Sequence, residues 1–397
     1  MRVGVTGDGA VCALGATVAQ CLAGLYQGRV QAPGPWAPSQ ALESPSPVFE
    51  VVADLVDVRA RDGRPLSRTS QLALLALREA LATAGAGGAR PPSPERVGVI
   101  VGTTVGCTFN DEPFYRAFRA GQAPGLEAVE RYVANDLAEV LAEELGARGP
   151  RATVTNACAS GTDAIGLGAR WIASGRCDRV IAGGADALAL FPYLGFRAMN
   201  MAPVRPRPFD LSRQGLNLGE GAGVVVLESE AAARARGARC LGFVAGYGSG
   251  ADAFHPTRPH PEGRGLRAAL AAALADAALA PEAIGFVNAH GTGTLENDRV
   301  EGCALAALLP HRPPIVATKG MTGHTLGAAG ALEAIFTLRN LLDGQLPASA
   351  GFQTPDPACA IIPTVRLTPT EARAALSDSL AFGGANAALV LLRGDPA

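Results

Sequence analysis

Lysine is almost missing from this 397-residue chain: of its 34 basic side chains, only Lys319 is not arginine. A bias toward arginine codons accounts for the rarity but not for the presence of this one residue. Arginine holds its charge on a bulky planar fork, whereas lysine is a compact point charge whose pKa responds to its surroundings, so the two differ most at buried working sites. Net charge is also small, at −2, which gives no global footprint for nucleic acid or an anionic membrane surface. Closely spaced cysteine pairs are missing too. The eight cysteines, at positions 12, 21, 107, 158, 177, 240, 303 and 359, form no CxxC, which argues against a metal knuckle or disulfide framework and favours a reducing cytoplasm. No segment reaches ~18 uninterrupted apolar residues, so no membrane span is expected. The first 15 residues, MRVGVTGDGAVCALG, are interrupted by Asp8 and glycines and read as strand, tight turn and helix rather than a signal peptide. Phosphate-loop, HExxH and GxSxG patterns are lacking, and nothing points to a metal or another cofactor.

What is present is apolar material, 48% of residues against 18% charged, enough for a large core in one or two domains. Short β-type runs at residues 97–101, 180–182, 224–227 and 286–287 alternate with Ala/Leu-rich stretches at helical spacing, the pattern of an α/β protein with helix-covered sheets. Residues 29–47, rich in Pro, Ser and Ala, read as an irregular surface excursion with no chemistry of its own.

The chain also resembles itself. Residues 70–104 and 264–292 each run helix, Pro-Glu, strand, Gly-Thr. ATVTNACASGTDAIGLGA and PIVATKGMTGHTLGAAGALEA each lead a strand into a small-residue helix, with Cys158 and His324 at matching places. EGAGVVVLE and FGGANAALVLL each supply a glycine turn and a closing strand. The pattern suggests two duplicated halves, residues 1–240 with the cysteine and 241–397 with two histidines, meeting about a pseudo-two-fold axis with the site between them.

Cys158 is placed at the start of a helix over residues 159–172, where the unpaired N–H groups and macrodipole should lower its thiol pKa. The remaining cysteines suit a buried structural role, with Cys107, in a loop past a strand, less clear. His290, in NAHGTGT, follows a strand, and His324, in GHTLGAAG, is read as starting a helix; both lie at joins where sites are built. His255 is placed near the site, and His260 and His311 at the surface. Lys319, five residues before His324, can set that histidine's protonation and support anionic intermediates. Gly383 and Gly384 form a tight turn that could bring a backbone N–H to a substrate. Thr292 and Thr294 could bind a polar substrate arm or equally stabilise their own turn.

Five ordered motifs, NACASGTDAIG, RPFDLSRQGLNLGEGAGVVVLE, NAHGTGTLEND, KGMTGHTLGAAGALEA and LAFGGANAALVL, resemble those of the elongating beta-ketoacyl-acyl carrier protein synthases across nearly the whole chain. The resemblance implies a thiolase-like layered αβαβα fold, usually dimeric, and a decarboxylative condensation of an acyl thioester with malonyl-carrier protein. In that scheme Cys158 takes the acyl group, and the N–H groups of Cys158 and Phe382 form the oxyanion hole. His290 and His324 stabilise the enolate, Lys319 organises His324, Glu333 holds Lys319, and Phe382 gates the acyl and malonyl pockets. The third position separates this set from Cys-His-Asn initiating synthases and Cys-His-Cys thiolases. The implied partners are acyl carrier protein, with Arg68, Arg205 and Arg207 as candidate contacts, and an identical or ketosynthase-like second subunit. The alternative is a non-condensing chain-length subunit, which the presence of Cys158 opposes. Leu380 and Ala381 depart from the family's usual aromatic residue and glycine before Phe382, and GTTVGCTFNDEPFYRAF resembles synthases of polyene or aryl polyene clusters.

Overall fold

The computed structural model describes residues 1–30, 34–36, 42–85, 92–106, 111–203 and 205–394. The elements that position the site are β1 (Val3–Cys12), α1 (Val18–Tyr26), α2 (Arg68–Ala84), β2 (Val97–Gly102), α3 (Leu137–Leu145), β3 (Arg151–Val154), α4 (Ser160–Ala173), β4 (Arg179–Asp186) and β5 (Gly221–Ser229). They continue with β6 (Gly242–Ala251), α5 (Arg264–Ala277), β7 (Phe286–Asn288), α6 (Leu295–Leu308), β8 (Ile315–Val316), α7 (Ala329–Asp343), β9 (Ala374–Ala381) and β10 (Ala385–Arg393). The strands predicted from the β-type runs are all present, most extended by a few residues because pairing continues into flanking glycines and polar residues.

Ten strands form one sheet in the order β8-β7-β9-β10-β6-β1-β5-β4-β2-β3. Outward from the centre, β1-β5-β4-β2-β3 on one side is matched by β6-β10-β9-β7-β8 on the other. In each set the first two pairings are antiparallel and the last two parallel. The two sets meet along an antiparallel seam of three residue pairs, Val3 with Val244, Gly4 with Phe243 and Val5 with Gly242.

Strand side chains alternate between two faces, and both faces are buried. On β5, Val224 and Val226 join Leu72 and Leu77 of α2 and Leu141 of α3 in one core. Their neighbours Val225 and Leu227 join Ile165 of α4 and Ile335 of α7 in a second. On β10, Leu389 and Leu391 point into that same central core, while Val390 joins Leu266 of α5 and Leu305 of α6 in a third. The succession is helix, sheet, helix, sheet, helix: the expected αβαβα layering.

The central layer tolerates little bulk. A Cβ on Gly161 of α4 would lie 2.7 Å from the Gly327 carbonyl oxygen and 2.9 Å from the Ala331 nitrogen, so the two central helices meet backbone to backbone. That close approach explains the Gly/Ala run after His324, which brings the loops at the heads of α4 and α7 together.

Candidate active site

Cys158 sits between β3 and α4, just past Ala157, whose φ of 47° is a left-handed conformation unfavourable for a side chain with a Cβ. Local and long-range bonds hold it there. Ser160 Oγ donates to the Ala157 carbonyl at 2.6 Å and accepts the Asn156 N–H at 2.8 Å. Asn156 donates to Asp163 at 2.6 Å, and Tyr247 on β6 donates to the same carboxylate at 2.7 Å. The turn is thereby fastened to the opposite strand set.

His290 follows β7, and Glu301 of α6 accepts both its N–H, at 2.5 Å, and that of Gly291, at 2.9 Å. His324 lies in the loop before α7. Its N–H reaches the Asn217 carbonyl at 2.8 Å and its carbonyl accepts the Gly219 N–H at 3.0 Å. The mid-chain motif therefore works as a backbone splint for His324. The helix predicted to start at His324 starts instead at Ala329, because Leu326, at φ 52°, and a 3-10 turn over Leu326–Ala328 intervene.

These elements bring the Cys158 sulfur and a ring nitrogen of each histidine within 4.8 Å of one another, with the imidazoles edge to face at 5.2 Å. Hydrogen-bond partners fix the tautomers. The Lys319 ammonium lies 3.0 Å from His290 Nδ1, and the Leu326 N–H donates to His324 Nδ1 at 3.2 Å. Both Nδ1 atoms are acceptors, so in each neutral ring the proton is on Nε2. The pair presents two N–H donors to the cavity, which suits a developing oxyanion; protonated Nε2 atoms offer no lone pair to a metal. Burial, and then the Lys319 charge, hold both histidines well below their ordinary range, which keeps them neutral.

Lys319 meets a different histidine from the one expected. Its ammonium bonds the ring and, at 2.6 Å, the carbonyl oxygen of His290, and it reaches His324 only through its field. Glu333, one turn into α7, accepts a hydrogen bond from Lys319, and burial pushes its carboxyl up to about 7 against that pull. The expectation of a lowered thiol pKa is also corrected. Burial pushes Cys158 up to about 12, outweighing the Lys319 charge and the Phe382 N–H that bonds the sulfur. Cys158 stands two residues before α4 among apolar side chains including Val105, Phe196 and Leu326, so desolvation exceeds the helix contribution.

A cavity of about 310 Å³ opens onto Cys158, His290 and His324 and is also lined by Thr292, Thr294 and Phe382. The Thr292 and Thr294 hydroxyls lie 2.9 Å apart, and Thr292 Oγ1 accepts the Thr294 N–H at 3.2 Å, so they stabilise their own turn as well as facing the cavity. The Phe382 ring packs on Phe196, centroids 5.5 Å apart. Gly383 and Gly384, at φ 84° and 78°, turn the chain but do not line the cavity. The Gly383 N–H is taken by the Pro256 carbonyl at 2.7 Å, so it is not available to a substrate. Residues 29–47 do more than decorate the surface. Within their described part Gly34–Pro35 pairs with Pro47 and the adjoining Val48, and Trp36 packs, as Val48 does, on the apolar cluster that holds Cys158.

Of the three arginines, Arg68 is bound through Nε to buried Glu220 at 2.9 Å and Arg207 to Ser212 at 2.8 Å, while Arg205 is exposed. Cys107 lies outside the described residues, as does part of the segment resembling polyene synthases. Sequence reading missed Asp186, a buried carboxylate at the end of β4. It accepts the Thr103 hydroxyl at 2.6 Å and the N–H groups of Thr104, Val105, Gly106 and Gly327 at 2.6 to 3.2 Å. An acid closing a run without polar side chains from Val180 to Ala185 was the available signal. Glu301 and Asp378, buried close together beneath His290, were missed as well. Burial and mutual repulsion raise Glu301, and burial raises Asp378 to about 7.

Two family models match the chain: beta-ketoacyl synthase N-terminal domain over residues 1–233 and beta-ketoacyl synthase C-terminal domain over 241–353. The chain belongs to the beta-ketoacyl synthase family. Among its relatives, nodulation protein E of Rhizobium sp. (strain N33) is 37% identical over 98% of both chains. The 3-oxoacyl-[acyl-carrier-protein] synthase 2 of Synechocystis sp. (strain ATCC 27184 / PCC 6803 / Kazusa) is 33% identical over 98% of this chain and 97% of the relative. Among solved structures, the ishigamide ketosynthase/chain length factor superposes with a TM-score of 0.87 at 33% identity, covering 99% of each chain. The thiolase-like fold of the family is the one described above. Among the described residues, no helix is long and apolar enough to cross a membrane.

Proposed function

We propose that this synthase joins an acyl unit to a malonyl unit with loss of carbon dioxide, giving a 3-oxoacyl thioester on acyl carrier protein. The observation that carries the reading is the convergence of a thiol and two Nε2–H donors in one cavity. Cys158 displaces the carrier thiol from an acyl thioester and its proton leaves with that thiol. With a pKa near 12, the cysteine rests as a thiol, which must lose its proton as it attacks. The malonyl thioester then loses carbon dioxide, and the enolate oxygen accepts hydrogen bonds from His290 and His324. The enolate carbon attacks the acyl-Cys158 carbonyl, whose oxyanion is held by the N–H groups of Cys158 and Phe382. Cys158 is expelled as thiolate and takes up a proton from solvent, the one proton the decarboxylative condensation consumes. Lys319 and Glu333 are positioning residues for His290, and Phe382 gates access to the acyl side.

The same reading includes the division near residue 240, supported by the matched strand order, a cytoplasmic location, and acyl carrier protein as partner. A second subunit, identical or ketosynthase-like, belongs to it too, supported by the similarity to a ketosynthase/chain length factor. Retention of Cys158 beside both histidines favours the condensing over the non-condensing role. The test is intact-protein mass spectrometry after incubation with acyl-carrier proteins of varied chain length. An acyl adduct that disappears in Cys158→Ala is expected; an adduct on another cysteine would overturn the assignment.

A further inference from the structure

Around the cavity, every formally charged lining residue but one is already engaged. Asp252 accepts the Gly265 and His260 N–H groups at 2.8 and 3.0 Å, and Glu296 pairs with Arg299 at 2.8 Å. The two histidines are held neutral. Arg258 is the exception: it lines the same cavity beside Thr257 and Pro259, it is exposed, and among the described residues no hydrogen bond or ion pair engages its guanidinium.

The loop carrying it is braced. Pro256, Pro259 and Pro261 restrict the backbone around it. The N–H groups of Thr257 and Arg258 both donate to His255 Nδ1, at 3.1 and 3.3 Å. The Pro256 carbonyl accepts the Gly383 N–H at 2.7 Å, tying the loop to the Phe382 turn. This also gives His255 a place near the site without a role in the chemistry. An unpaired guanidinium carried on a restrained backbone is available to an anion, since the loop itself needs no reordering on binding.

We propose that Arg258 binds the phosphodiester of the phosphopantetheine arm as the arm enters the cavity. This inference rests on the reading of the site as a condensing centre served by carrier-bound thioesters. The arm's other functional groups are amides, hydroxyl and sulfur, so the phosphodiester is its one anion, and arginine's planar fork matches two phosphate oxygens. The acyl and malonyl carriers share that group, so one arginine serves both half-reactions.

The test is calorimetric binding of S-methyl phosphopantetheine and S-methyl pantetheine, which differ in the phosphate alone, to the full chain and to Arg258→Gln and Arg258→Lys. Because neither ligand can acylate Cys158, the result does not depend on whether the chain condenses anything. The unaltered protein should bind the phosphorylated ligand about tenfold more tightly or better. That preference should be lost in Arg258→Gln and partly kept in Arg258→Lys. Equal affinities in the unaltered protein, or a preference that survives Arg258→Gln, would overturn the proposal. A third arm titrates carrier protein with and without its arm. If Arg258→Gln weakens both forms equally, the guanidinium meets the carrier surface and the phosphate assignment fails.

Discussion

The ammonium of Lys319 lies 3.0 Å from His290 Nδ1 and 2.6 Å from the same residue's carbonyl oxygen, and its third partner is Glu333. One compact cation therefore fixes the tautomer of one histidine, while a backbone N–H does the same for His324. The two donors reach the same protonation state by different means, and they should fail differently.

Replacing Lys319 by arginine forces a fork into a space shaped for a point charge. Condensation by Lys319→Arg should fall at least about tenfold, or ~1.4 kcal/mol in barrier. Acylation of Cys158, followed by mass spectrometry, should suffer less, since Lys319 touches His290 and not the thiol. Near-normal condensation would remove the role assigned to this residue.

The reactivity of Cys158 should keep climbing with pH. Its thiol is pushed up to about 12 by burial, so the thiolate fraction grows throughout the alkaline range. Peptide-resolved alkylation by iodoacetamide should show no half-maximal point near 8.5, the midpoint of an ordinary cysteine. A midpoint at or below that pH would mean that the helix start and the Phe382 N–H prevail over desolvation.

Condensation should persist on acidification through the usual histidine range. Both imidazoles are held well below 6.5 by burial and the Lys319 charge. As pH falls, the neutral donors survive until that lowered pKa is crossed, so the acid limb attributable to histidine belongs below 6.5. Measuring carbon dioxide release from malonyl-carrier protein checks this; a midpoint at 6.5 or above would contradict it.

Asp186 joins the loop after β2 to the Gly327 turn beside His324. Asp186→Ala removes the acceptor of the Thr103 hydroxyl and of the Thr104, Val105 and Gly327 N–H groups, while the Gly106 N–H keeps the Thr103 hydroxyl at 2.9 Å, and should cost roughly 3 kcal/mol or more in urea unfolding. Asp186→Asn keeps one acceptor oxygen and should lose less.

The sequence exposed whatever is periodic or local. Alternating β-type runs foretold strands on either side of the seam, and the internal repeat foretold that Cys158 and His324 would occupy corresponding loops. It could not show which way Lys319 points, because that depends on α7 placing Glu333 beneath His290. Nor could it show that desolvation would dominate at Cys158, since the apolar wall comes from residues as distant as Val48 and Leu326. Asp186, Glu301 and Asp378 stayed hidden because a buried acid owes its role to donors and neighbours far away in the chain.

Lys319 is 1% exposed. Because every other basic side chain is arginine, the folded surface offers no lysine to amine-directed reagents. Acylating or reductively methylating chemistry at this position requires the central layer to open, so modification of one side chain becomes a clock for unfolding events. Chemistry that would blur such a readout in an ordinary lysine-rich protein would here count each opening of the site.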